Sequence, residues 1–251
     1  MPGKQPRLSC APSPADSQRL RCTVPLVVPS RLGAEPSGEV ELIIDAVRLS
    51  IAAARTEWLS HAELARAEKF ATEELRQRFI SRRSALRRFV AENLDLAPEE
   101  LLPDYYCPDH GRGPELDHGQ PGFTLRGKRL EIALSSTGSG DWAVFALAAS
   151  PIRLGIDVER VGAASFQGFD DGVLSPREKA ELQGVPEQQR AAYRAQCWAR
   201  KEALVKAQGI GLRMRPRDID STAPGLYDLP AEPLGLSATY ACAIAVLPEV
   251  G

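Results

Sequence analysis

Ile152-Arg153-Leu154-Gly155-Ile156-Asp157-Val158-Glu159 sets Ile152, Leu154, Ile156 and Val158 in alternation with Arg153, Gly155, Asp157 and Glu159. That is the period-two pattern of a strand with one buried face. Asp157 and Glu159 therefore point the same way, roughly 7 Å apart by strand rise. Further along, Trp198-Ala199-Arg200-Lys201-Glu202-Ala203-Leu204-Val205-Lys206 is rich in strong helix formers and lacks Gly and Pro. It sets Glu202 and Lys206 one turn apart on one helix face.

If this helix packs on this strand, Asp157, Glu159 and Glu202 converge with Lys201 and Lys206. Three acidic oxygen donors suit a hard divalent cation such as Mg²⁺, which keeps room for waters and substrate phosphates instead of filling an all-protein cage. Lysines beside such a cluster serve a polyphosphate better than the metal. The expected chemistry is metal-assisted phosphoryl transfer. Taken singly, each feature has a plainer reading: Asp157 and Glu159 as the solvated side of an amphipathic strand, Glu202 and Lys206 as an ordinary surface pair. Their combination favours the site.

The first part of the chain weakly repeats the second. Leu42-Ile43-Ile44-Asp45-Ala46-Val47-Arg48 parallels Leu154-Gly155-Ile156-Asp157-Val158-Glu159-Arg160. Leu59-Ser60-His61-Ala62-Glu63 parallels Leu174-Ser175-Pro176-Arg177-Glu178, both reading as helix starts with a serine cap. Arg82-Arg83-Ser84-Ala85-Leu86 parallels Arg200-Lys201-Glu202-Ala203-Leu204. Three matches in one order argue for duplication of an α+β unit. The first copy has one carboxylate, Asp45, where the second has three, so the metal site is expected in the second half, with a phosphate-bearing ligand in the cleft between halves. Residues 39–150 and 151–251 are read as the two α+β halves, and 1–38, rich in Pro, Ser and Arg, as a poorly ordered extension. Residues 59–94 read as one or two helices, 130–146 as a hairpin closed by a small-residue loop over 135–141, and 240–247 as a further strand.

The 251 residues, 43% hydrophobic and 25% charged with a net charge of −2, describe an ordinary globular protein with no general pull toward nucleic acid or membrane. The amino terminus shows no apolar core of a signal peptide, and no apolar run is long enough to span a membrane. The scattered Cys10, Cys22, Cys107, Cys197 and Cys242 are expected to be reduced thiols of a cytoplasmic protein. Cys107, His110 and His118 offer too few ligands at finger spacing for zinc, and a Gly/Pro-rich connection is the simpler reading.

Gly155-Ile156-Asp157-Val158-Glu159, then Trp198 to Lys206, then Gly209-Ile210-Gly211-Leu212 resemble, in order and spacing, the signature of the 4′-phosphopantetheinyl transferases. The likeness is to their longer, surfactin-synthetase form, the two-half form of the holo-acyl-carrier-protein synthase superfamily. It is clearest between Glu39 and Gly211. It implies an enzyme that moves the phosphopantetheine arm of coenzyme A onto a serine of an acyl or peptidyl carrier protein, with Mg²⁺, releasing adenosine 3′,5′-bisphosphate. It also implies two pseudo-symmetric α+β halves, each a small antiparallel sheet packed on a long helix, with coenzyme A at their junction, in a monomer of broad secondary-metabolic range.

Under this resemblance Asp157, Glu159 and Glu202 hold Mg²⁺ and Glu202 is the candidate base. Lys206 stabilises or protonates the departing phosphate, and Lys201 grips the phosphates. Arg78 lies where the family pattern has an arginine for coenzyme A phosphates, with Arg83 the next candidate. Ser135-Ser136-Thr137-Gly138 stands where the family usually has Ser-His-Ser or Ser-His-Thr before Gly; Ser136 replaces the histidine that meets the 3′-phosphate and carries no charge. His118-Gly119-Gln120-Pro121 resembles the family's His-Gly-Lys-Pro element, with Gln120 for the lysine. These departures keep a rival open, a catalytically silent coenzyme A or carrier-protein binding module. A second rival, nucleic-acid binding by the helix carrying Arg76, Arg78, Arg82, Arg83, Arg87 and Arg88, has no aromatic platform beside it.

Overall fold

A computed structural model describes residues 8–13, 16–27, 36–49, 54–211 and 213–249; Leu212 of the Gly-Ile-Gly-Leu motif lies outside them. The strands are β1 Ser9–Ser13, β2 Asp16–Val27, β3 Pro36–Arg48, β4 Leu101–Pro103, β5 Tyr105–Cys107, β6 Gly111–Gly113, β7 Phe123–Leu125, β8 Lys128–Arg129, β9 Ile132–Ser139, β10 Trp142–Ala149, β11 Ile152–Arg160, β12 Leu226–Leu229 and β13 Tyr240–Pro248. The helices are α1 His61–Ala67, α2 Glu73–Leu94, α3 Phe169–Val173, α4 Pro176–Gln183 and α5 Glu187–Gln208. The fold is mixed α and β, with antiparallel sheets ordered β1-β2-β3-β10-β9, β11-β13-β12, β4-β7-β8 and β5-β6.

Alternation along the central strands builds a layered core. On β10, Val144, Ala146 and Ala148 join Leu42 and Ile44 of β3 and Leu154, Ile156 and Val158 of β11 in one apolar cluster. Ala143, Phe145 and Leu147 point to the opposite face, against Ala85, Leu86 and Phe89 of α2. On β13, Ile244 and Val246 face the first cluster while Ala243 and Ala245 meet Ala199, Ala203 and Ala207 of α5. The carboxylate side of β11 is thus not solvated, as an isolated amphipathic strand would have it, but lies under α5.

Gly155 is what lets α5 so close. A Cβ at that position would lie 2.0 Å from the Ala203 carbonyl oxygen and 2.5 Å from the Ala207 amide nitrogen, both backbone atoms that no rotamer change can move. Gly155→Ala should therefore push α5 off β11 at a cost of about 3 kcal/mol, the upper part of the range for overpacking. A lowered urea midpoint at unchanged slope is the expected observation; an unaltered midpoint would mean that the helix can slide.

Three sequence expectations are corrected here. Within residues 1–38, read as a poorly ordered extension, β1 and β2 pair with each other and β2 extends the sheet through β3; segments 1–7, 14–15 and 28–35 lie outside the described residues. Leu20, Cys22 and Val24 alternate into the core there, a signal hidden among Pro, Ser and Arg. Cys10 and Cys22, cross-strand partners, form a disulfide, whereas Cys107, Cys197 and Cys242 are free and buried. The stretch 135–141 is ladder almost throughout: Ser139 pairs with Trp142, leaving Gly140 and Asp141 as the turn. The helices expected over 59–94 are α1 and α2, and the strand expected over 240–247 is β13. Among the described residues no helix is long and apolar enough to cross a membrane.

Candidate active site

Strand β11 and helix α5 bring together most of the residues singled out above. Asp157 is 3% exposed; its Oδ1 accepts hydrogen bonds from Thr137 Oγ1 of β9 at 2.9 Å and from Lys206 Nζ at 2.6 Å. Its Oδ2 is buried and has no hydrogen-bond partner among the described residues. Two residues along β11, Glu159 Oε1 accepts from Trp198 Nε1 at 3.0 Å, and Trp198 lies one turn before Glu202 on α5. Burial, reinforced by the charge of Asp157, raises the Glu159 carboxyl to about 7. Glu202 is likewise raised, by burial and by Asp157 against the opposing pull of Lys206. One buried oxygen of Asp157 is thus left without a partner among the described residues, and burial is the main reason that Glu159 and Glu202 resist ionising. The all-oxygen donor set fits Mg²⁺.

The surface around this cluster is concave. A hollow of about 340 Å³ is lined by Asp157, Glu159, Lys206, Arg66, Arg82 and Arg83. A second, of about 370 Å³, is lined by Glu202, Lys206, Gln120, Ser135 and Ser136, and the two share His118, Gly119, Ser136 and Lys206. The loop forming one wall is held by backbone hydrogen bonds in both directions between Tyr106 and Gln120, at 2.9 and 2.8 Å. Gly119, at φ 97°, passes so near Tyr106 that a Cβ would lie 2.1 Å from its carbonyl oxygen.

The first hollow is also lined by Arg82, which the sequence placed among the arginines of the basic helix without a ligand role. Arg66 pairs with Asp117 and Arg83 reaches Tyr105 and the Asp117 carbonyl, but Arg82 has no ion pair among the described residues. It packs against β9, with Nη1 3.1 Å from where a side chain on Gly138 would begin. Burial, then the repulsion of Arg83 and Arg66, lowers its guanidinium to about 10. Such an arginine is poised to bind an anion.

The other expectations divide. Ser136 and Arg83 do line the hollows. Ser135 also lines one, but its Oγ accepts the Ile156 amide at 2.9 Å, tying β9 to β11. His118 lies in both, yet Nδ1 faces Asp117 Oδ1 at 2.9 Å and Nε2 faces His110 Nδ1 at 3.1 Å, so neither ring nitrogen is left over for a phosphate. Arg78 lies outside both hollows, its guanidinium on Glu74 and on Asp141 of the β9–β10 turn. Lys201 is corrected outright. It is 0% exposed, and its ammonium is used up by the Val173 carbonyl at 2.7 Å, Glu178 Oε2 at 2.6 Å and the Pro216 carbonyl at 3.0 Å, so it grips no ligand.

With this geometry, comparison with known proteins becomes informative. Residues 153–227 match the family model of the 4′-phosphopantetheinyl transferase superfamily. The matched segment runs from β11 through α5 to β12 and so contains Asp157, Glu159, Glu202 and Lys206. The chain is also 28% identical over 155 residues to "Putative 4'-phosphopantetheinyl transferase slr0495" of Synechocystis sp., covering 61% of this chain and 58% of that protein. It is equally 28% identical over 155 residues to 4′-phosphopantetheinyl transferase HetI of Nostoc sp., covering 61% of each. The chain thus spans about six tenths of the length of the curated relatives it matches.

Proposed function

We propose that this protein transfers the 4′-phosphopantetheine moiety of coenzyme A to a serine of an acyl or peptidyl carrier protein, releasing adenosine 3′,5′-bisphosphate. The observation that carries the reading is that the segment matching the superfamily holds the strand and helix that bring Asp157, Glu159, Glu202 and Lys206 to one cleft. Asp157, Glu159 and Glu202 would hold Mg²⁺, which when bound neutralises charge on the coenzyme A pyrophosphate and orients it. Glu202, its carboxyl raised by burial, accepts the proton of the carrier serine as that oxygen attacks the pantetheine-side phosphorus. Lys206 stabilises the departing phosphate, and Arg82 with Arg83 offers charge to the nucleotide phosphates where Ser136 and Gln120 carry none.

The two-half architecture, with halves at 39–150 and 151–251, belongs to the same proposal. Ser60–Glu63 and Ser175–Glu178 are both capping boxes. Each box glutamate is buried against a basic residue of a 22-residue helix, Glu178 against Lys201 at 2.6 Å and Glu63 against Arg87 at 3.3 Å, with Arg83, the residue matched to Lys201, at 3.8 Å. A surfactin-synthetase-type monomer completes the reading.

The test is intact-protein mass spectrometry of an apo carrier protein incubated with this protein, coenzyme A and Mg²⁺, with and without chelator. A gain of one phosphopantetheine arm that vanishes with chelator is expected. No gain across several carrier types, with coenzyme A still bound, would instead identify a silent binding module.

Cation binding should also be legible in stability. Glu159 titrates near 7 in the folded protein against an ordinary 4.5, so the folded state holds this proton more tightly than the unfolded chain. Its contribution is therefore present at low pH and is lost as pH rises from about 4.5 through about 7. Mg²⁺ competes with that proton, so the Mg²⁺-induced rise in Tm should be small near pH 5 and full above about pH 7.5. Calorimetry that finds the same increment at both would remove Glu159 from the cation site.

A further inference from the structure

Cys107 ends β5, His110 lies in the turn into β6, and His118 begins the Gly119-Gln120 crossing back over Tyr106. The Cys-x-x-His spacing of the first two is set by the turn, in which the His110 amide donates to the Cys107 carbonyl at 3.2 Å. Cys107 Sγ lies 3.3 Å from His110 Nδ1, and that nitrogen lies 3.1 Å from His118 Nε2. The three atoms all fall within 4.8 Å of one another, and among the described residues this is the one such group of His, Cys, Asp or Glu ligands. The carboxylates of Asp157, Glu159 and Glu202 are not drawn so close.

We infer that Cys107, His110 and His118 form a Zn²⁺ site separate from the carboxylate cluster. A thiolate with two imidazoles is a donor set for zinc and a poor one for Mg²⁺. With Zn–S of about 2.3 Å and Zn–N of about 2.05 Å, the edges of a coordination tetrahedron are about 3.4–3.6 Å, so the two separations made by His110 Nδ1 need open only by a few tenths of an ångström, and the Cys107–His118 edge lies within 4.8 Å. A second, independent feature points the same way. The far nitrogen of His118 faces Asp117 Oδ1 at 2.9 Å, and Arg66 Nη1 holds that carboxylate at 3.0 Å. A proton on Nδ1 donated to Asp117 leaves the Nε2 lone pair directed at His110 and Cys107, the carboxylate–histidine arrangement that orients a metal-binding imidazole. No further His, Cys, Asp or Glu joins the group among the described residues, so the remaining position falls to water or to an oxygen donor in the adjoining cleft, which Cys107 and His118 also line. The ion would tie the β5–β6 turn to the loop carrying Gln120. It would thereby stiffen one wall of the cleft.

The full chain, stripped with chelator and titrated with Co²⁺, tests this without any transfer assay, so its outcome is independent of the proposed reaction. One equivalent should produce a thiolate-to-cobalt charge-transfer band and strong tetrahedral visible bands, displaced by Zn²⁺ but not by excess Mg²⁺. Cys107→Ser should abolish the charge-transfer band. His110→Ala, a change at an exposed residue that leaves the fold intact by circular dichroism, should weaken Co²⁺ binding at least tenfold. Asp117→Asn should lower Zn²⁺ affinity roughly 10–100-fold. Absence of the band in the folded wild-type protein, or a band that persists in Cys107→Ser, would overturn the site and leave a hydrogen-bonded Cys-His-His chain.

Discussion

Glu202→Gln is expected to cut turnover by roughly 10²–10⁴-fold, the usual contribution of a positioned general base, while leaving the melting temperature unchanged or higher. The two halves of this expectation come from the same observation. The Glu202 carboxyl accepts no hydrogen bond among the described residues, and burial together with Asp157 disfavours its charged form. A neutral amide of equal size relieves that repulsion without breaking a contact. Asp157→Asn differs in kind, because it disturbs the oxygen held by Thr137 and Lys206; activity and some stability should fall together. Rates from carrier modification, read beside thermal melts of both variants, separate the roles. Near-normal turnover in Glu202→Gln would take the base assignment away from this residue and leave Lys206 as the residue of α5 that serves the cleft.

How much of this was legible beforehand depends on which interactions are local. The alternation of Leu154, Ile156 and Val158 and the helical run through Lys206 were readable because each pattern repeats within one element. That α5 covers the carboxylate side of β11 was favoured only by the pairing of two motifs, and the closeness of their crossing at Gly155, a contact between distant segments, was not readable. Lys201 carried a usable warning. Glu202 and Lys206 are four apart and share a face, whereas Lys201 and Lys206 are five apart and point in different directions, so both lysines could not reach one phosphate cluster. Choice among the arginines of α2 lay beyond the sequence: Arg78 and Arg82 share a face one turn apart, and only the position of the β9–β10 hairpin decides that Arg78 meets Asp141 while Arg82 faces the hollow. The Cys107, His110 and His118 convergence was hidden in the same way. Its third member comes from a loop placed by backbone bonds to Tyr106.

Lys201→Met should be among the most destabilising single changes in the second half, costing about 3–5 kcal/mol, because it leaves the Glu178 carboxylate buried without its counter-charge. At roughly 2–4 °C per kcal/mol for a chain of this size, the melting temperature should fall by roughly 6–20 °C. Three acceptors lose their donor at once, since Val173 and Pro216 carbonyls share the ammonium with Glu178. The remaining partners of Glu178, the Ser221 hydroxyl and the Ser175 amide, are neutral and cannot offset a full charge. Glu178→Gln added to Lys201→Met removes that charge while retaining an acceptor for the capping box, so the double variant should recover part of the loss. Measured below the transition, the folded Lys201→Met protein should keep its coenzyme A KM, because the ammonium never faces the cleft. A variant with normal stability and a raised KM would place Lys201 on the ligand and reverse the reading; a destabilised variant with an unchanged KM identifies Lys201 as the internal strut that holds α4, and with it the Val173–Ser175 turn, against the helix bearing Glu202 and Lys206.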